Sequence, residues 1–145
     1  MSSDTTPPRR RRGVGAVLVA VYFVLFLAAA GRSGVELATK FDQAPVAYSL
    51  SAVAAVVYLL ATVALVAPGR WLQRFWYRTA WATIAFELVF VLVVGTLTLV
   101  DPRLFPRNTV WSYYGIGYLF VPLVLPVLGM LYLRSRRPVP APRAA

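Results

Sequence analysis

The chain is 145 residues long, 59% hydrophobic, and carries a formal net charge of +10 at pH 7. So much apolar surface exceeds what one small core can bury in water, and lipid is its expected solvent. Neither cysteine nor histidine occurs and only five acidic residues are present, so disulfides, thiolate metal sites, thiol nucleophiles and the commonest general base are excluded, and no enzyme activity, cofactor or metal is expected.

Residues 1–12 are mostly Ser, Thr, Pro and Arg and read as a disordered basic tail. A four-span membrane domain follows over 13–133. Its apolar stretches run from Val14 to Ala30, Ala44 to Ala67, Thr79 to Val100 and Trp111 to Leu133, each near the ~20 residues that cross a bilayer as helix. The first stretch, with its basic prefix and Ala28-Ala29-Ala30, also fits a cleavable signal peptide. A retained span agrees better with an even number of crossings. In the second, Ala47, Ser51 and Ala55 recur every fourth residue and form a small-residue stripe that lets a neighbouring helix approach.

The linker into the third stretch interleaves Arg70, Arg74 and Arg78 with Trp71, Trp76, Tyr77 and Trp81. Arginines spaced by four make one stripe if the linker is helical. They are expected at anionic headgroups, with Trp71, Trp76 and Trp81 as interfacial neighbours. Within the third stretch Ala80, Thr83, Glu87, Gly95 and Thr98 share one side, while Phe86, Val89, Leu92 and Val93 suit lipid. Next, Asp101-Pro102-Arg103-Leu104-Phe105-Pro106 leads to Trp111, Tyr113 and Tyr114, a rigid loop expected to press on the outer interface as an anchor or docking surface. In the fourth stretch Pro122 and Pro126 each lack a backbone donor. They predict a kinked helix with the carbonyls of Tyr118 and Pro122 freed, serving as a packing kink or a gate. Residues 134–145, with Pro138, Pro140 and Pro142 in alternation, read as a second disordered tail.

Short connections make sequential spans antiparallel neighbours, so the fold class is all-α: an up-down-up-down four-helix transmembrane bundle. Eleven arginines lie in the two tails and the linker between spans two and three, against four basic residues, Arg32, Lys40, Arg103 and Arg107, in the opposite loops. By the positive-inside rule both termini are then cytoplasmic. The basicity is a topology signal, and the expected contacts are anionic lipid headgroups and a membrane-protein partner or further copies of the chain, not nucleic acid. Arginine outnumbers lysine fourteen to one, a bias of GC-rich bacterial genomes that points to a bacterial plasma membrane.

Glu87 is the one acidic side chain inside the four stretches. Counted from the cytoplasmic ends, it shares a depth of roughly 12 to 14 Å with Tyr22 and Tyr58. Inserting an acid there costs about 2.5 to 3.5 kcal/mol, so it is expected to face the bundle. Two readings stand: a hydrogen-bonded cross-link between helices, or a proton or cation site. The candidate intramembrane residues are Glu87, Tyr22, Tyr58, Thr83, Pro122 and Pro126.

The runs Phe41-Asp42-Gln43-Ala44-Pro45, Phe86-Glu87-Leu88, Gly95-Thr96-Leu97-Thr98-Leu99-Val100-Asp101-Pro102 and Phe120-Val121-Pro122-Leu123-Val124-Leu125-Pro126 resemble those of small uncharacterised actinobacterial four-span integral membrane proteins. The resemblance covers the region after the first span and implies membrane class alone. Small multidrug-resistance transporters share four short spans and a membrane glutamate. Theirs lies in the first span and this one in the third, so the likeness is analogy. The expected function is a non-enzymatic accessory or assembly subunit binding other membrane proteins, with a small oligomeric proton- or cation-coupled transporter using Glu87 as the alternative.

Overall fold

The computed structural model describes residues 10–67 and 73–136. Arg70, Trp71 and the outer parts of both expected tails lie outside them. Among the described residues all regular structure is helical: α1 (Arg10–Thr39), α2 (Pro45–Val66), α3 (Gln73–Val100) and α4 (Val121–Ser135), with short 3-10 turns at Phe41–Gln43, Pro102–Leu104 and Ser112–Tyr118. Gly13–Thr39, Pro45–Val66 and Arg74–Val100 are each long and apolar enough to cross a membrane. Along their middle stretches the exposed positions are mostly large and apolar, as at Val53, Val56, Val89 and Leu92, which suits lipid and not water. This is a membrane protein.

The faces the helices turn inward follow from residue size and spacing. On α1 the buried positions are Leu18, Tyr22, Leu25, Ala29 and Ser33, at intervals of three and four. On α2 the stripe of Ala47, Ser51 and Ala55 is buried together with Ala54, Tyr58 and Ala61. Alanine and serine let the backbones come close, and α1 against α2 is the most extensive helix pair in the molecule. On α3, Ala80, Ile84, Glu87, Val91, Val94 and Thr98 point inward, whereas Phe86, Val89, Leu92 and Val93 face outward.

Two segments depart from expectation. Residues 32–39, expected as outer loop, continue α1 as helix. Arg32 Nε donates to Glu36 Oε1 at 3.0 Å, an i, i+4 ion pair that supports the last turns. Its Nη2 donates to the Asn108 carbonyl at 2.9 Å and ties α1 to the loop after α3.

The fourth apolar stretch is not one proline-kinked helix. It breaks into the 3-10 segment Ser112–Tyr118 and α4, bent by 96°. The break precedes Pro122, which sits in the first turn of α4, where a missing N–H costs nothing. Tyr113, Tyr114, Gly115, Leu119 and Phe120 all adopt positive φ, a conformation that carries about 1–3 kcal/mol of strain at each non-glycine residue. Packing holds it. Tyr114 lies on α3 at Gly95, and the prolyl ring of Pro122 lies on Gly115, at distances that leave no room for a Cβ on either glycine. The Phe120 N–H donates to the Gly115 carbonyl at 3.0 Å, closing the corner. Pro126 does lie inside a helix, α4, and is buried there.

At Gly95 a methyl group would come within 2.8 Å of the Tyr114 backbone nitrogen. Gly95→Ala is therefore expected to push the 112–118 segment off α3 and cost about 1–3 kcal/mol, read as a lower thermal midpoint in detergent. Gly31→Ala, on an open face of α1, should be neutral or gain up to about 1 kcal/mol in helix propensity.

Candidate functional site

The centre of the bundle is polar. Tyr22 on α1, Tyr58 on α2 and Glu87 on α3 are each fully buried, because each lies on the inward stripe of its helix at a common depth. The Tyr22 hydroxyl donates to Glu87 Oε2 at 2.9 Å. The two tyrosine rings are tilted against each other with centroids 6.3 Å apart. Gly129 brings α4 onto the same spot, where a Cβ would lie 3.0 Å from Ile84 and 3.5 Å from the Tyr22 hydroxyl.

Glu87 has one partner, a neutral phenol. Its second oxygen, Oε1, is buried with no hydrogen-bond partner among the described residues. An ionised, unpaired carboxylate in such surroundings is expensive, whereas a neutral acid is tolerated. The glutamate thus joins α1 to α3 and leaves one carboxyl oxygen without a partner among the described residues.

Trp111 completes the cluster. Expected as an interfacial anchor, it is fully buried, and its indole Nε1 donates to the Tyr58 hydroxyl at 3.1 Å. Its ring meets Phe90 and Phe86 of α3, with centroids 5.5 and 6.5 Å away. The break after Trp111 turns the chain so that this indole points inward and not to the headgroups. Nothing in local sequence distinguishes such a tryptophan from an anchor. The hint is chemical: a Trp between an outer loop and a span needs a partner for its N–H wherever it is buried.

Of the other candidates, Thr83 does not join the cluster. Its hydroxyl donates back to the carbonyls of Thr79 at 2.9 Å and Ala80 at 3.1 Å, the common way for a helical threonine to satisfy itself in lipid. Pro122 and Pro126 are buried and shape α4 without touching the glutamate through any hydrogen bond. At the other end of α3, Arg74 and Arg78 are exposed, and Trp76 and Trp81 are half-buried against the core. Tyr77 between them donates to the Leu133 carbonyl at 3.2 Å, joining the start of α3 to the end of α4. Among the described residues no group of three or more acidic side chains gathers to hold a metal ion. No family model, curated protein or solved structure matches the chain.

Trp111→Phe removes the indole N–H that donates to the Tyr58 hydroxyl. In a double-mutant cycle with Tyr58→Phe, the coupling should be about 0.6 kcal/mol and at most about 1.7 kcal/mol, as for other hydrogen bonds between membrane segments. Unfolding in mixed micelles measures it, and strict additivity would show the contact to be packing alone.

Proposed function

We propose that this chain is a small non-enzymatic membrane protein, an accessory or assembly subunit that binds other membrane proteins. In this reading it sits in a bacterial plasma membrane as an up-down-up-down bundle with a broken fourth span and both termini cytoplasmic. Arginine asymmetry supports that orientation. The antiparallel order is supported by two pairings of helix ends, Tyr77 with Leu133 at one end of the bundle and Arg32 with Asn108 at the other.

The observation that carries the reading is the corner between Ser112–Tyr118 and α4. There Ile116, Leu119 and Phe120 project outward, Leu119 with 88% of its surface exposed, and both Leu119 and Phe120 are held at positive φ. In this reading the strained backbone, which holds large apolar side chains out from the bundle, is the knuckle on which a neighbouring helix docks.

Because the chain has no cysteine, Leu119→Cys gives a single crosslinking point. Crosslinking in native membranes, followed by isolation in mild detergent, should capture a stoichiometric membrane protein. The same experiment on Val93→Cys, on the outward face of α3, should not. Isolation of the chain as a pure homo-oligomer shifts the weight to the second reading.

That second reading, a small oligomeric proton- or cation-coupled transporter, is favoured by one observation: the unpartnered Oε1 of Glu87. In proteoliposomes such a transporter would show pH-dependent flux that Glu87→Gln abolishes while the bundle stays folded. An accessory subunit shows no flux in the unmodified chain.

A further inference from the structure

α1 and α4 meet at few points. Between them lie two joined hollows of about 750 and 310 Å³ whose walls share Val17, Leu18 and Leu128. The groove is apolar for most of its length and changes character at one end, where Tyr132, Ser135 and Arg136 line it. The Arg136 guanidinium lies over the Tyr132 ring, 5.3 Å from its centroid, which holds the cation at the mouth. Arg134 is exposed in the last turn of α4. From Val121, which lines the inner hollow, to Ser135 at the mouth, α4 rises about 21 Å. One leaflet is half of the ~30 Å hydrocarbon core, so the groove is long enough to take an acyl chain from its end to the headgroup level.

We propose that the groove between α1 and α4 binds one anionic phospholipid, its acyl chain along Val17, Leu18 and Leu128 and its phosphate on Arg136. The charge at one end selects this occupant. A phospholipid uses both features, the apolar slot for its chain and the positive group for its phosphate, whereas a transmembrane helix would use the slot alone. The inference rests on the membrane class of the protein and is independent of docking at the Leu119 corner.

Native mass spectrometry of the full chain in neutral detergent, with dioleoyl phosphatidylglycerol or dioleoyl phosphatidylcholine added at equal concentration, tests it. The unmodified protein should retain one phosphatidylglycerol in about fivefold preference, the scale of one arginine near an anionic headgroup. Arg136→Gln should bring the two lipids close to parity. Val17→Trp, which fills the groove, should lower retention of both, and Val93→Trp on the outward face of α3 should change nothing. Circular dichroism confirms that each variant is folded, and Leu128→Trp stands in if Val17→Trp is not. Equal retention of the two lipids by the unmodified chain overturns the proposal, as does unchanged retention in the filled-groove variants. A dimer that Val17→Trp dissociates, with no lipid held, assigns the face to a second copy and overturns it as well.

Discussion

A polar group in the hydrocarbon core has no water to turn to, and this fold is organised around meeting that constraint with very few donors and acceptors. The glutamate at the centre of α3 accepts from a tyrosine of α1 at 2.9 Å, and the tyrosine of α2 beside it accepts from an indole at 3.1 Å. One bond joins α1 to α3, and the other joins α2 to Trp111, the residue that precedes the 112–118 segment. The buried hydroxyls of Ser33, Ser51, Thr62 and Thr98 are satisfied locally, each donating to the carbonyl four residues earlier. Apolar packing can then be supplied by small residues. Lipid gives two helices no hydrophobic reason to associate, and the close approach allowed by Ala47, Ser51 and Ala55 provides dispersion contact instead.

The broken fourth segment follows from the same requirement. To bring the Trp111 indole inside, the chain must turn sharply, and it does so through four non-glycine residues at positive φ. Contacts with Gly95 and Pro122 hold that corner, and its apolar residues are left on the outside. A continuous helix from Trp111 to Leu133 would point the indole elsewhere and leave the Tyr58 hydroxyl without its donor. Beyond the corner, α4 meets α1 at few points, and the groove lies between them.

Much of this was legible in the sequence because composition and periodicity report solvent and face. The first three apolar stretches, the small-residue stripe of α2 and the inward and outward sides of α3 could be read from spacing alone. Depth counting brought Tyr22, Tyr58 and Glu87 together, since helices of similar length starting at one surface carry equal counts to equal depth. The fourth stretch was misread for an identifiable reason. Proline signals a missing donor without saying whether it sits inside a helix or in its first turn. Positive φ at Tyr113, Tyr114, Leu119 and Phe120 goes against local preference and is imposed by tertiary contact, so no local pattern announces it. The helical extension to Thr39 was masked by charge, because Arg32 and Glu36 read as loop residues until their pairing at i, i+4 is seen.

The central claim is that the contact between Tyr22 and Glu87 joins α1 to α3, and a double-mutant cycle tests it most directly. Tyr22→Phe, Glu87→Leu and the double variant would be unfolded reversibly in mixed micelles. Each single change should be destabilising by about 1–3 kcal/mol, as expected when a buried polar partner is lost. The double variant should be less destabilised than the sum of the two, with a coupling of about 0.6 kcal/mol or more. Strictly additive effects, or a Glu87→Leu variant as stable as the unmodified chain, would contradict the account and leave Glu87 without a structural role in the bundle.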